Sequence, residues 1–172
     1  MLTISLLRHA KSDWVDPELG DFERPLAPRG KKAAPVIDSF MDENDIHPDL
    51  ILCSTAKRAM TTLNLLKKTF GRAPEIVFED KLYMASARTM LDIATSVTTT
   101  CSHVMLIAHN PGLHILALAL AEIGQSEPYL KLIDKYPTAA LTVLDFDCDD
   151  WSKITPGQGR LRHFVPPKSL AQ

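Results

Sequence analysis

Ile4-Ser5-Leu6-Leu7-Arg8-His9-Ala10-Lys11-Ser12 sets a short, mostly apolar run directly before an arginine and a histidine. The run has the length and composition of a buried strand, and ligands of open α/β sheets bind beyond the carboxyl ends of such strands. Arg8 and His9 are therefore expected to point together into a crevice at the sheet edge. A second apolar run, Val104-Met105-Leu106-Ile107-Ala108, ends in the same way, at His109-Asn110. Two strand-end histidines, with a permanent cation beside one of them, suggest a phosphate site with an imidazole nucleophile.

Outward from these two runs, short apolar segments alternate with longer amphipathic ones, the pattern of an α/β domain with a largely parallel sheet. Strands are predicted near 2–8, 49–53, 75–78, 103–108, 140–146 and 160–165. Helices are predicted near 29–43, 56–70, 86–99 and 111–123, with a shorter one near 128–135. Residues 113–121 are apolar nearly all round, so their helix should be well buried. Residues 166–172 read as a frayed tail.

At 172 residues the chain fits one domain, 1–172, large enough to bury about 70% of its unfolded surface without disulfides or metal. The formal charge of −2 gives no electrostatic reason to expect nucleic acid as a partner. Cys53, Cys101 and Cys148 are widely spaced and read as free thiols in a reducing compartment. No stretch approaches the ~18 consecutive apolar residues of a membrane helix. The first apolar run stops at Arg8 with no basic region before it, unlike a signal peptide. The expectation is a cytoplasmic monomer without a membrane partner.

Residues 10–28 form a long connection carrying Pro17, Gly20, Pro25 and Pro28 among many charges. Such loops are often functional; the alternative is a solvated loop pinned by local ion pairs such as Asp21 with Arg24. Whether it closes over a ligand stays open. Trp14 is expected to anchor it onto the core.

A further candidate lies in Cys53-Ser54-Thr55-Ala56-Lys57-Arg58. Ser54 or Thr55 can cap the helix that follows, which puts Arg58 in its first turn. A cation there opposes the helix dipole by about 0.3–1 kcal/mol, a penalty that a bound anion would reverse. In His109-Asn110-Pro111-Gly112, Asn110 at the N-cap and Pro111 at the first helical position mark a strand-to-helix junction. Each site alone is better explained by a surface arginine or a structural histidine. Three on one sheet edge argue together for an anion pocket.

These residues resemble the histidine phosphatase superfamily, and in particular its small phosphohistidine phosphatase branch. The likeness rests on Leu6-Leu7-Arg8-His9-Ala10-Lys11-Ser12, on Asp21-Phe22-Glu23-Arg24-Pro25-Leu26-Ala27-Pro28-Arg29-Gly30, on Ser54-Thr55-Ala56-Lys57-Arg58 and on Ile107-Ala108-His109-Asn110-Pro111-Gly112. Ala10 departs from the glycine usual in the wider superfamily but is normal in this branch. The resemblance implies a three-layer α/β/α domain with a largely parallel, mixed sheet, in the phosphoglycerate-mutase-like architecture without a cap domain. It implies that His9 attacks phosphorus and is transiently phosphorylated, while Arg8, Arg58 and His109 hold the phosphoryl oxygens. Ser12 and Asn110 would add hydrogen bonds. Neither metal nor cofactor is implied.

Many superfamily members place a carboxylic acid after the third strand to protonate an alcohol leaving group. Here that region reads Glu79-Asp80-Lys81-Leu82-Tyr83-Met84-Ala85-Ser86, without their acidic motif. General acid help is worth roughly 10²–10⁴-fold to a departing alkoxide, whereas imidazole, protonated near pKa ~6.5, leaves easily. The expected substrate is accordingly phosphohistidine on a protein. The alternatives are a small-molecule phosphomonoester, or a catalytically idle protein that binds phosphorylated partners.

Competing chemistries fit less well. By resemblance, a cysteine-dependent phosphatase needs five residues between its cysteine and arginine, and four separate Cys53 from Arg58. His109 and His114 lie roughly 140° apart around a helix, so they share no ligand face. Gly30-Lys31-Lys32 lacks the remainder of a P-loop, and Gly157-Gln158-Gly159 reads as a turn.

Overall fold

The computed structural model describes residues 1–71, 73–97 and 100–170. Among them, β1 (Leu2–Arg8), β2 (Leu50–Cys53), β3 (Glu75–Phe78), β4 (His103–Ala108), β5 (Leu141–Phe146) and β6 (Arg160–Val165) form one sheet in the order β3-β2-β4-β1-β5-β6. β1, β4, β2 and β3 run parallel, while β5 is antiparallel to β1 and β6 antiparallel to β5. The helices are α1 (Pro28–Glu43), α2 (Lys57–Asn64), α3 (Lys67–Phe70), α4 (Ala87–Thr95), α5 (Gly112–Leu120) and α6 (Glu127–Asp134).

Successive strand residues face opposite sides of a sheet, and both sides are apolar here. Ile4, Leu6, Val104 and Leu106 pack with Met90 of α4, Leu113 and Leu116 of α5, and Leu132 of α6. Leu7, Ile51, Met105, Ile107 and Leu141 pack on the other side with Ile37 and Met41 of α1 and Leu63 of α2. Helices thus cover both faces, giving the three-layer α/β/α architecture with a mixed sheet. No helix among the described residues is long and apolar enough to cross a membrane.

The strands fall where they are predicted, but three helices are shorter. The predicted helix at 56–70 is two helices, broken at Leu65-Leu66. The buried Asp38 of α1 restarts it, accepting the Lys68 and Thr69 N–H groups at 2.7 and 3.0 Å. The one predicted at 86–99 ends at Thr95, and residues 98 and 99 of that prediction lie outside the described residues. The one predicted at 111–123 stops at Leu120, because Glu122 N–H turns away to Gly159 O at 2.8 Å. The Gly157-Gln158-Gly159 turn in return donates to the Ala119 and Leu120 carbonyls. The expected frayed tail is ordered through residue 170, with a helical turn at Pro167–Ser169 against α1; residues 171 and 172 lie outside the described residues.

Candidate active site

Pairing of β1 with β4 sets Arg8 level with Ala108, so the two strands release His9 and His109 side by side. His9 N–H donates to Ala108 O at 3.2 Å. The two imidazole rings stand 5.1 Å apart, tilted by 47°. Arg58, second residue of α2 and only 4% exposed, reaches across from the next parallel strand connection. Its Nε donates to His9 Nε2 at 3.3 Å. Arg8 Nη1 and Asn110 Nδ2 both donate to the Tyr136 carbonyl, at 2.8 and 3.0 Å. Arg8, His9, Arg58 and His109 therefore converge as expected, with Asn110 beside Arg8.

The tautomer of His9 follows from its partners. Nδ1 lies 2.8 Å from the Ala10 carbonyl, which can only accept, so Nδ1 carries the proton. A guanidinium can only donate, so Nε2 holds a lone pair toward Arg58. Burial, joined by the charges of Arg58 and Arg8 and by His109, pushes the His9 pKa down to about 3 despite the Ala10 bond. Burial, with Arg58 and Arg8, pushes His109 down to about 4. Both rings are neutral at pH 7, and His9 presents an unprotonated nitrogen. His109 Nε2 is engaged with Ser54 Oγ at 2.7 Å, while its Nδ1 and the Arg8 Nε are buried without a protein partner among the described residues. Both atoms can donate hydrogen bonds to an oxyanion.

The neutral rings also carry a stability consequence. Burial holds His103 at about 4 as well. All three histidines stay neutral in the folded chain where the unfolded chain, near pKa ~6.5, takes up protons. Their contribution is fully present above about pH 6.5 and is lost as the pH falls toward about 4. Melting temperature measured against pH is expected to be flat from pH 7 to 8 and to drop below about pH 6.5. A flat profile down to pH 4 would mean the rings charge freely.

Several local expectations are corrected. The helix after His109 starts at Gly112, with Pro111 at its N-cap position and a cis Asn110–Pro111 peptide. Asn110 therefore does not cap it; its amide goes to Tyr136. Neither Ser54 nor Thr55 caps α2, whose N-cap is Ala56; Ser54 serves His109, and Thr55 donates to Asp80 at 2.7 Å. Trp14 is 61% exposed and does not enter the core. It braces its own loop, with the Arg24 guanidinium 4.0 Å over its ring and its Nε1 donating to Ser12 Oγ. Ser12 Oγ accepts that bond, which leaves its O–H to donate elsewhere.

Two residues, Asp21 and Tyr83, enter the site that the sequence did not assign to it. Asp21 sits 4.0 Å from Arg24, too far for the expected pair to be its main contact. Its carboxylate instead accepts from Arg58 Nη2 at 3.0 Å and from the Tyr83 hydroxyl at 2.6 Å, and its carbonyl accepts from Arg58 Nη1 at 2.6 Å. The Tyr83 hydroxyl, together with Arg58, holds the Asp21 carboxyl below the usual carboxylate range, so it is ionised at neutral pH. The turn after β3 thus supplies a phenol, while the carboxylate comes from the 10–28 segment. Glu79 caps its own turn and Asp80 takes Thr55.

An arriving oxyanion must share Arg58 with the Asp21 carboxylate. Asp21→Asn is accordingly expected to tighten tungstate binding, read by titration calorimetry, by roughly three- to tenfold, since a like charge is removed at close range. Weaker binding would show that Asp21 orders Arg58 more than it repels the ligand.

Backbone contact holds the far rim. A Cβ at Gly112 would collide with the Ala85 carbonyl, so the start of α5 and the turn preceding α4 touch with only a hydrogen between them. On the near side, the 10–28 segment closes through a bridge between Ser12 and Leu26.

The family model for the histidine phosphatase superfamily (branch 1) matches residues 4–83. A crystal structure from Agrobacterium tumefaciens, provisionally named phosphohistidine phosphatase SixA, is 32% identical, superposes with a TM-score of 0.81 and covers 96% of this chain and 98% of its own. The chain belongs to the histidine phosphatase superfamily. An uncharacterized protein of Mycobacterium tuberculosis is likewise 32% identical over 94% of this superfamily member and 100% of its own length. The fold is shared with a protein histidine phosphatase SixA solved with tungstate, at 19% identity and a TM-score of 0.77 over 98% of this chain and 99% of the other. Membership and fold together support a phosphatase. The Cys53 thiol has no part in such chemistry, because burial pushes its pKa up to about 12 and keeps it protonated.

Proposed function

We propose that the protein removes phosphate from phosphohistidine on a protein, through a phosphorylated His9. The observation that carries this reading is the His9 tautomer, with an unprotonated Nε2 beside the Arg58 guanidinium. In the first step the Nε2 lone pair forms a bond to phosphorus. The P–N bond of the substrate breaks, and its electron pair returns to the substrate nitrogen. With the other substrate nitrogen protonated, the leaving group is neutral imidazole. In the second step water attacks the phosphorylated His9, the Nε2 recovers its electron pair, and the proton of water leaves with inorganic phosphate and solvent. The Ala10 carbonyl keeps Nδ1 protonated throughout, so His9 also departs as a neutral ring. Arg8, Arg58 and His109 hold the phosphoryl oxygens, a role in which preorganised donors contribute most. Asn110 aligns Arg8 through the shared Tyr136 carbonyl, and Ser12 steadies the neighbouring loop.

The choice of an N–P bond is supported by the acids present. Asp21 is ionised, and Glu79 and Asp80 have partners away from His9. Asp21 is therefore no ready proton donor for an alkoxide at neutral pH. Phosphate release from phosphoramidate and from a phosphohistidine peptide, set against an alkyl phosphate, tests the reading. The N–P substrates are expected to give kcat/KM higher by roughly 10²-fold or more; faster alkyl ester hydrolysis would favour the small phosphomonoester alternative. Asp80→Ala and Glu79→Ala are expected to change phosphohistidine turnover less than about threefold, and a loss of several hundred-fold would reveal an acid among them.

A further inference from the structure

A second concavity, a groove of about 1020 Å³, lies between α1, α6 and the turn Pro167–Ser169. Neither His9 nor Arg58 nor His109 lines it, yet it shares their sheet edge. β6 runs in the direction of β1, with Leu7, Leu141 and Val165 level across the three strands. Residues after Val165 therefore leave the sheet where Arg8 and His9 do, about 10 Å away at two strand spacings. The wall between crevice and groove is the segment after α6. Tyr136 O takes Arg8, Ala139 N–H bonds the Arg8 and His9 carbonyls, and Pro137 and Thr138 between them line the groove. Lys11, two residues past His9, lines it as well.

The charge of this groove opposes that of the whole molecule. Against an overall −2, it gathers six cations and two carboxylates. Both carboxylates are already paired, Glu127 with Lys131 at 2.7 Å and Asp134 with Lys135 at 3.5 Å. Lys11, Arg29, Lys32 and Lys168 make no ion pair among the described residues. Arg29 stands in the first turn of α1, which holds no acidic residue, so it opposes the helix dipole, and Lys32 follows one turn later. Screening over about 8 Å at physiological salt makes the local charge decisive over the net charge. Between these cations lie exposed apolar side chains, Val36 and Leu130.

We propose that this groove docks an acidic segment of the protein whose phosphohistidine enters the His9 crevice. Carboxylates pair with Lys11, Arg29, Lys32 and Lys168, and an apolar side chain between them covers Val36 and Leu130. The inference rests on the phosphohistidine reading above and gives it a partner chemistry. It also separates recognition from reaction, because the docking cations touch none of the reacting atoms.

The test uses the full chain and the double charge reversal Lys32→Glu with Lys168→Glu. Both side chains are exposed, so the fold is expected to survive, and Lys32→Gln with Lys168→Gln serves if melting shows otherwise. The probes are phosphoramidate and two histidine-phosphorylated peptides, one alternating glutamate with leucine and one with lysine in place of glutamate. At low salt the wild type is expected to turn over the acidic peptide with a kcat/KM about tenfold above the basic one, and the reversal to erase or invert that ratio. Phosphoramidate turnover is expected to change less than about twofold, because rim charges steer encounter and leave the chemistry alone. Equal turnover of both peptides by the wild type, or a preference that survives the reversal, overturns the docking inference. Hydrolysis of none of the three sinks the phosphatase reading instead. Fluorescence anisotropy of the unphosphorylated acidic peptide then still reads the groove, with binding lost on reversal supporting docking and unchanged binding refuting it. A single-stranded oligouridylate that binds more tightly than the acidic peptide and is weakened by the same reversal would also overturn it.

Discussion

His9→Ala is expected to lower phosphoramidate and phosphohistidine turnover by on the order of 10⁴–10⁶-fold, as removal of a covalent nucleophile does elsewhere. It is also expected to abolish the acid-labile phosphate that mass spectrometry should detect on the wild-type chain. The physical ground is specific. His9 is buried and neutral, its Nδ1 proton is held by Ala10, and its Nε2 is the one lone pair set beside both guanidiniums' field. His109 cannot take over simply by proximity, because its Nε2 is committed to Ser54. The variant keeps Arg8, Arg58 and His109, so tungstate binding is expected to persist and to separate loss of chemistry from loss of fold. Label or turnover surviving in His9→Ala would remove the proposed nucleophile.

Arg58→Ala is expected to cost about 10²–10³-fold in kcat, the scale for deleting one preorganised donor to a developing anion. Its guanidinium uses Nε toward His9 and both terminal nitrogens toward Asp21, so three directions of one planar fork are occupied at once. Lysine offers a point charge without that fork, and Arg58→Lys should recover little. Losing Arg58 also leaves the Asp21 carboxylate without its cation, adding repulsion toward an incoming phosphate. The His9 pKa is expected to rise, since Arg58 is among the groups lowering it, but burial is the largest cause and the ring stays neutral at pH 7. Steady-state kinetics with phosphoramidate across pH checks both points. A loss under about tenfold would move the charge stabilisation elsewhere.

Arg8, His9, Arg58 and His109 were legible in the chain because strand ends are set by apolar runs, and a parallel sheet puts consecutive strand ends on one edge. What lay hidden depends on contacts between distant segments. Asp21 and Tyr83 are 62 residues apart, and nothing local marks either as a partner of Arg58. A carboxylate within a proline-punctuated loop, and a tyrosine in the turn after the third strand, were the available signals. The break at Leu65-Leu66 was equally invisible, since a buried aspartate on another helix, Asp38, imposes it. Asn110 shows the converse: its residue type suits a helix cap, but the Tyr136 carbonyl offered a buried partner and took the amide.

The bare contact between Gly112 and Ala85 has a dynamic corollary. The phenol-bearing turn and the second imidazole are welded along this seam and must shift as one body. The opposite jaw is held by hydrogen bonds instead, the 10–28 excursion being moored by its Ser12–Leu26 bridge, the Asp21 grip on Arg58 and the Tyr83 hydroxyl on Asp21. An anion that takes Arg58 from Asp21 is expected to loosen that mooring.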